Sequence, residues 1–130
     1  MRILSITAQK PHSTGSGVYL TETVRGFKEL GHTQAVIAGV TREDSVKLPE
    51  GVGFYPVYYN SPELPFPVCG MSDEMPYEST RYRYMKPDMV DKFEAAFGNT
   101  VLRAVKEFRP DVVICHHLYL LAAIVREKLP

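Results

Sequence analysis

Arg109-Pro110-Asp111-Val112-Val113-Ile114-Cys115-His116-His117-Leu118-Tyr119 is the stretch on which the fold turns. A polar turn feeds a short Val/Ile run, the run ends on two histidines, and a helix-like stretch follows at once. A strand buried on both faces of a parallel sheet reads as a continuous apolar run, and in open α/β sheets ligands bind beyond the carboxyl ends of the strands. Asp111 to His116 is therefore predicted as a strand of a parallel sheet, the fourth in chain order, with its histidines where such a sheet does its chemistry.

Working outward, Leu118 to Leu129 is predicted as a helix that reaches Pro130 with no strand after it, as if the chain stopped in mid-fold. Before the strand, Met89, Phe93, Ala96, Phe97, Ala104 and Phe108 repeat at helical spacing, and Gly98 costs that helix about 1 kcal/mol against Ala. At the other end Arg2 to Thr7 is apolar and too short for a helix before Pro11, which makes it the first strand. Val18, Leu20, Val24, Phe27 and Leu30 then place a helix over Gly17 to Leu30, with Thr14 or Ser16 as cap and Gly31 as stop. Gln34 to Val40 and Phe54 to Tyr59 are the second and third strands, and strand–helix–strand in this order implies a right-handed βαβ crossover. Residues 60–88 break the pattern. They carry Pro62, Pro65, Pro67, Pro76 and Pro87 beside Met71, Met75, Tyr77, Tyr82, Tyr84 and Met85, too apolar for a disordered linker and too rich in proline for regular structure. A long structured excursion beside a site is the expectation.

At 130 residues and 45% hydrophobic the chain can bury one core, so a single domain over 1–130 is expected. Fifteen basic and fifteen acidic residues give a formal net charge of +0. With no Lys/Arg stripe to track phosphates, nucleic acid is disfavoured as a ligand. No apolar run approaches the roughly 18–20 residues of a transmembrane helix, and no secretory leader opens the chain, so a cytoplasmic protein is expected. Cys69 and Cys115 are too few for a disulfide framework and are expected as reduced thiols.

The segment Gln9-Lys10-Pro11-His12-Ser13-Thr14-Gly15-Ser16-Gly17 joins the first strand to the first helix. Gly15 and Gly17 let backbone amides approach a ligand, and the helix start supplies partial positive charge for an anion. A plain flexible connection reads equally well. A dinucleotide fingerprint does not fit, because its third glycine falls on Leu20 and the second strand ends in Gly39-Val40-Thr41 without a carboxylate for a ribose. The Walker-type phosphate loop is absent too. His116 and His117 point to opposite faces while the chain stays extended, so one of them is expected to face a cleft. A lone histidine at a strand end is more often a surface or hydrogen-bonded structural residue, yet titration near neutrality suits it to proton transfer or to hydrogen-bonding a developing charge. Adjacent histidines without a carboxylate or Cys partner do not make a metal site. Tyr77, Arg81, Tyr82, Arg83 and Tyr84 can stack on a ring and pair with anions, or simply pack over the core.

The opening M-R-I-L-S-I-T, the loop T-G-S-G-V-Y-L-T-E leading into a helix that ends K-E-L-G-H, and F-R-P-D-V-V-I-C-H-H-L-Y-L-L together resemble the N-terminal domain of family-four (group 1) glycosyltransferases. That resemblance spans nearly the whole chain, least securely over 60–88. It implies a Rossmann-like parallel sheet flanked by helices, the N-terminal half of a GT-B fold, incomplete at its C-terminus. It implies retaining transfer from a nucleotide-sugar donor to a sugar or other acceptor hydroxyl, usually without a metal or other cofactor. The family's glycine-containing loop matches Gly15, Ser16 and Gly17, with Tyr19 just inside the helix. Its H-x-H at the end of the fourth strand matches only at the second position, His116, since the first falls on Ile114. The resemblance thus makes His116 the residue that contacts the transferred sugar and steadies the departing diphosphate, and groups Gly15, Ser16, Gly17, Tyr19 and His117 as substrate-binding. The E-x7-E motif that holds the donor belongs to a C-terminal domain and has no match here, so the chain alone is expected to be inactive.

Two other readings stay open. A non-catalytic Rossmann-like module would hold an anion at the glycine loop and keep His116 as a structural residue. An interaction domain would dock a protein on the Tyr/Met/Pro excursion, and it requires a large exposed apolar patch around 62–85.

Overall fold

The computed structural model describes residues 1–129. It is an α/β fold in which β1 (Arg2–Thr7), β2 (Thr33–Val40), β3 (Gly53–Tyr58) and β6 (Val112–Cys115) form a parallel sheet, flanked by helices α1 (Gly15–Glu29), α2 (Pro87–Phe108) and α3 (Leu120–Lys128). The strand order is β3-β2-β1-β6. This is a Rossmann-like half-domain. Reversal of direction on either side of β1 opens a crevice at the carboxyl ends of β1 and β6, which is where an open α/β sheet binds ligands.

Alternation along the strands divides the core. Leu4 and Ile6 of β1 and Ala35 and Ile37 of β2 face α2 and α3, where they meet Phe93, Phe97, Val101, Leu121 and Ile124. Val36 and Ala38 face the other way and bury Leu20 and Val24 of α1. Ser5 and Thr7, paired with Val36 and Ala38, lie on that second face. Because helices cover both faces, β1 and β2 are buried along nearly their whole length, which is why they read as apolar runs rather than as alternating ones.

The observed bounds differ from the expected ones by one or two residues at most ends. Gly98 lies mid-helix in α2 beneath α3: a Cβ there would sit 3.3 Å from Lys128 Cε, the movable end of a flexible side chain, and 4.0 Å from Ile124 Cγ2, an ordinary contact. Residues 60–88 form a structured excursion, as expected. Leu64, Phe66, Val68 and Cys69 drop into the same core as α2, and Tyr77, Tyr82 and Met85 pack against it. Two short strands, β4 (Cys69–Gly70) and β5 (Thr80–Arg81), pair in parallel before a 3₁₀ turn at Tyr82–Tyr84. The exposed large apolar side chains of the excursion are Met71 and Tyr84. The broad apolar patch required by a docking surface at 62–85 is not formed. Among the described residues no helix is long and apolar enough to cross a membrane.

Candidate functional site

After Thr7 the chain leaves β1 through Ala8 and Gln9, both buried, and turns toward α1. Thr14, in extended conformation, caps the helix: its Oγ1 accepts from the Gly17 amide at 3.2 Å and its carbonyl from the Val18 amide at 2.9 Å. A threonine so placed stops the chain from needing further residues to reach the helix. Gly15, Ser16 and Gly17 are therefore the first turn of α1, and the expectation of a glycine loop running up to Gly17 is corrected by two residues. The Gly17 and Val18 amides are consumed by the cap, which leaves those of Gly15 and Ser16 for any external acceptor.

Gly17 is also not the open position that was expected. It is buried, and a Cβ on it would lie 2.8 Å from the Lys10 carbonyl oxygen and 2.9 Å from backbone atoms of Pro11 and His12. The protein's own backbone fills the space beside it. Gly17 therefore serves the close approach of α1 to the segment that leads into it, whereas Gly15 has nothing within 4 Å of its Cβ position.

At the other side of the crevice β6 ends at Cys115. His116 stays in register, its amide donating to the Ile6 carbonyl at 2.9 Å. Cys115 packs toward the α2 side, so its successor points to the α1 side, where the His116 ring stands edge-on to Tyr19 with centroids 6.0 Å apart. Its Nε2 is buried without a hydrogen-bond partner.

His117 overturns the expected divergence of the pair. With φ at 73° it is in the left-handed region, which a non-glycine residue enters at a cost of about 1–3 kcal/mol. Strand alternation ends there, and the ring swings back over the sheet end to put Nε2 3.4 Å from Gln9 Nε2. Gln9 Nε2 also donates to Ser16 Oγ at 2.7 Å, and Ser16 Oγ lies 3.0 Å from Thr14 Oγ1. The structure thus joins Ser16 and His117 through Gln9 and sets Tyr19 against His116 at the same sheet end, while Gly17 lies against Lys10, Pro11 and His12. Burial holds His116 below the ordinary imidazole value, helped by the charge of neighbouring His117, and burial alone does the same to His117. Both rings are neutral at neutral pH.

The charged groups of the neighbouring segments are paired among themselves. Lys10 Nζ pairs with Asp44 Oδ1 at 2.8 Å and lies under the Tyr77 ring, 4.6 Å from its centroid. Burial works to raise the Asp44 carboxyl, but bonds from Lys10 and from the Thr41 amide and hydroxyl outweigh it and hold the group below its ordinary value. Arg83 and Arg81 of the aromatic–basic run turn to Asp73, at 2.8 and 3.8 Å. Tyr82 stacks edge-on against Tyr119 at 4.5 Å. Those two rings, with Gly70, Asp73, Arg81 and Arg83, line a cleft of about 230 Å³. Sequence reasoning passed over Gln9 as one member of a connecting loop, and passed over the Lys10–Asp44 pair altogether. The available signal for Gln9 was an uncharged polar residue directly after a buried strand and directly before the turn. No protein-family model matches the chain, and no curated protein matches it at a significant level.

Proposed function

We propose that this chain is the acceptor-side, Rossmann-like half of a retaining glycosyltransferase that moves a sugar from a nucleotide-sugar donor to an acceptor hydroxyl. The observation that carries the reading is the convergence of Ser16, Tyr19, His116 and His117 at the carboxyl end of β1 and β6, since the family resemblance names these residues from segments a hundred positions apart in sequence. In this reading the donor diphosphate is held mainly by a second domain, and the first turn of α1 offers it the Gly15 and Ser16 amides. His116, neutral and half-buried, meets the transferred sugar through Nδ1, because its Nε2 is enclosed. Its contribution is a preorganised hydrogen bond to charge that develops as the leaving group departs, not nucleophilic attack. A cytoplasmic location goes with this reading, because nucleotide-sugar donors are made there.

The test is a titration of UDP- and GDP-linked sugars into the ¹⁵N-labelled chain at millimolar concentrations. Weak binding is expected, with amide shifts confined to Gln9, Gly15, Ser16, Tyr19, His116 and His117, and no steady turnover by the chain alone. Shifts confined to another face, or none for any nucleotide sugar, overturn the reading and leave a module with another ligand.

A further inference from the structure

The buried amide of Gln9 stands between the two segments of the crevice and has one end without a partner. Its Nε2 donates to Ser16 Oγ at 2.7 Å and lies 3.4 Å from His117 Nε2, while Oε1 is buried and bonds to nothing. The two possible orientations of the amide are not equivalent. As drawn, the unpaired group is a carbonyl oxygen; flipped, it is an NH₂ with two hydrogens, and an orphaned buried donor pair costs more than an orphaned acceptor. With Nε2 facing both neighbours, one hydrogen goes to Ser16 and the other to His117. An imidazole nitrogen that accepts a hydrogen bond carries no proton, so the proton of the neutral ring sits on Nδ1. His117 Nδ1 makes no hydrogen bond to the protein among the described residues and is not one of its enclosed polar atoms.

We propose that Gln9 is a positioning residue that fixes His117 as its Nδ1–H tautomer, so that the ring presents a hydrogen-bond donor to an acceptor oxygen of the ligand. Three observations converge on this role. Gln9 is only 4% exposed, so its side chain is locked by packing rather than free to follow the ring. The left-handed backbone of His117 is what carries Nε2 to Gln9 and away from the strand face it would otherwise occupy. Through Ser16 the same amide is tied to the capped first turn of α1, so helix start and histidine move as one unit. The identity of the ligand oxygen, a sugar hydroxyl or a phosphoryl group, rests on the transferase reading; the tautomer is a property of the chain itself.

The test reads the His117 ring nitrogens directly by long-range ¹H–¹⁵N correlation at pH 7.5, where the ring is neutral, on the chain without added nucleotide. In the wild type, Nδ1 is expected to carry the proton and Nε2 to be bare. Gln9→Leu should shift the tautomer ratio toward Nε2–H by roughly tenfold, the scale of one net hydrogen bond. Gln9→Glu is nearly isosteric and, once ionised, can only accept, so it should place a proton on Nε2; this variant decides the question should the leucine variant fail to fold. A wild-type ring protonated on Nε2, or a ratio unmoved in both variants, overturns the proposal. Nucleotide sugars that fail to bind a chain whose His117 has the expected tautomer remove the transferase reading and leave the role of Gln9 standing.

Discussion

At the scale of the residue, the two histidines are alike in sequence and unlike in what holds them. His116 is a strand residue whose direction follows from Cys115 before it, and its placement on the α1 side beside Tyr19 is what strand alternation requires. His117 owes its position to a left-handed backbone angle, uncommon for any residue but glycine although histidine is among those that adopt it more readily. The first was therefore legible from the sequence and the second was not, since no glycine or asparagine marks the turn. The convergence also changes what substitution should do. Under the proposed transferase function, His116→Ala in an enzyme carrying both domains is expected to lower kcat by roughly 10²-fold, the cost of one lost transition-state hydrogen bond. A His117 out on the opposite face would cost nothing, whereas one held beside the same crevice should cost roughly tenfold. Steady-state kinetics of the two variants checks this, and a silent His116→Ala rules out His116 as a ligand contact.

At the scale of the element, the junction between β1 and α1 shows how much a pattern of glycines can and cannot say. Existence and type of the four strands of the main sheet and of the three α-helices followed from apolar patterning, because long buried segments leave the chain little choice of period, whereas the two-residue strands β4 and β5 did not. The function of each glycine did not, because a Cβ is tolerated or refused by atoms far away in space. Gly15 and Gly17 occupy the same helical turn, yet one faces open space and the other faces backbone at 2.8 Å. Gly17→Ala should accordingly destabilise the chain by about 1–3 kcal/mol, the range of overpacking against atoms that cannot step aside. Gly15→Ala should be neutral or stabilising by up to about 1 kcal/mol through helix propensity. Urea unfolding of the pair measures the difference, and equal effects would mean that α1 does not press on residues 10–12. Loss of ligand binding in a Gly17 variant therefore reports first on this packing.

At the scale of the whole molecule, the pH range of stability is set by groups at opposite sides of one core. Composition revealed that residues 60–88 were too apolar to be a linker, but not that they would close over the sheet, since neither their prolines nor their scattered tyrosines have a period. What they bury is titratable. Burial raises Tyr59 well above its ordinary value and raises Tyr82, and it pushes the Cys69 thiol up to about 12. For such acids the unfolded chain loses its protons first, so stability falls as pH rises past the ordinary thiol value of 9.0. The histidines act at the other end. Their folded values lie below 6.5, so as pH drops through 6.5 the unfolded chain takes up protons that the folded chain refuses, and stability falls again. Asp44, held below its ordinary value of 3.8, loses its contribution only in stronger acid and does not confuse this window. Thermal unfolding followed from pH 5 to 10 should therefore give a Tm plateau between about 6.5 and 9 with a decline on both sides. His116→Gln combined with His117→Gln should flatten the acid side and leave the alkaline side alone. A Tm that holds steady or rises from pH 7 to 5.5 in the wild type would mean that the two rings are not enclosed at the sheet end, and that the crevice built around Gln9 is open to water.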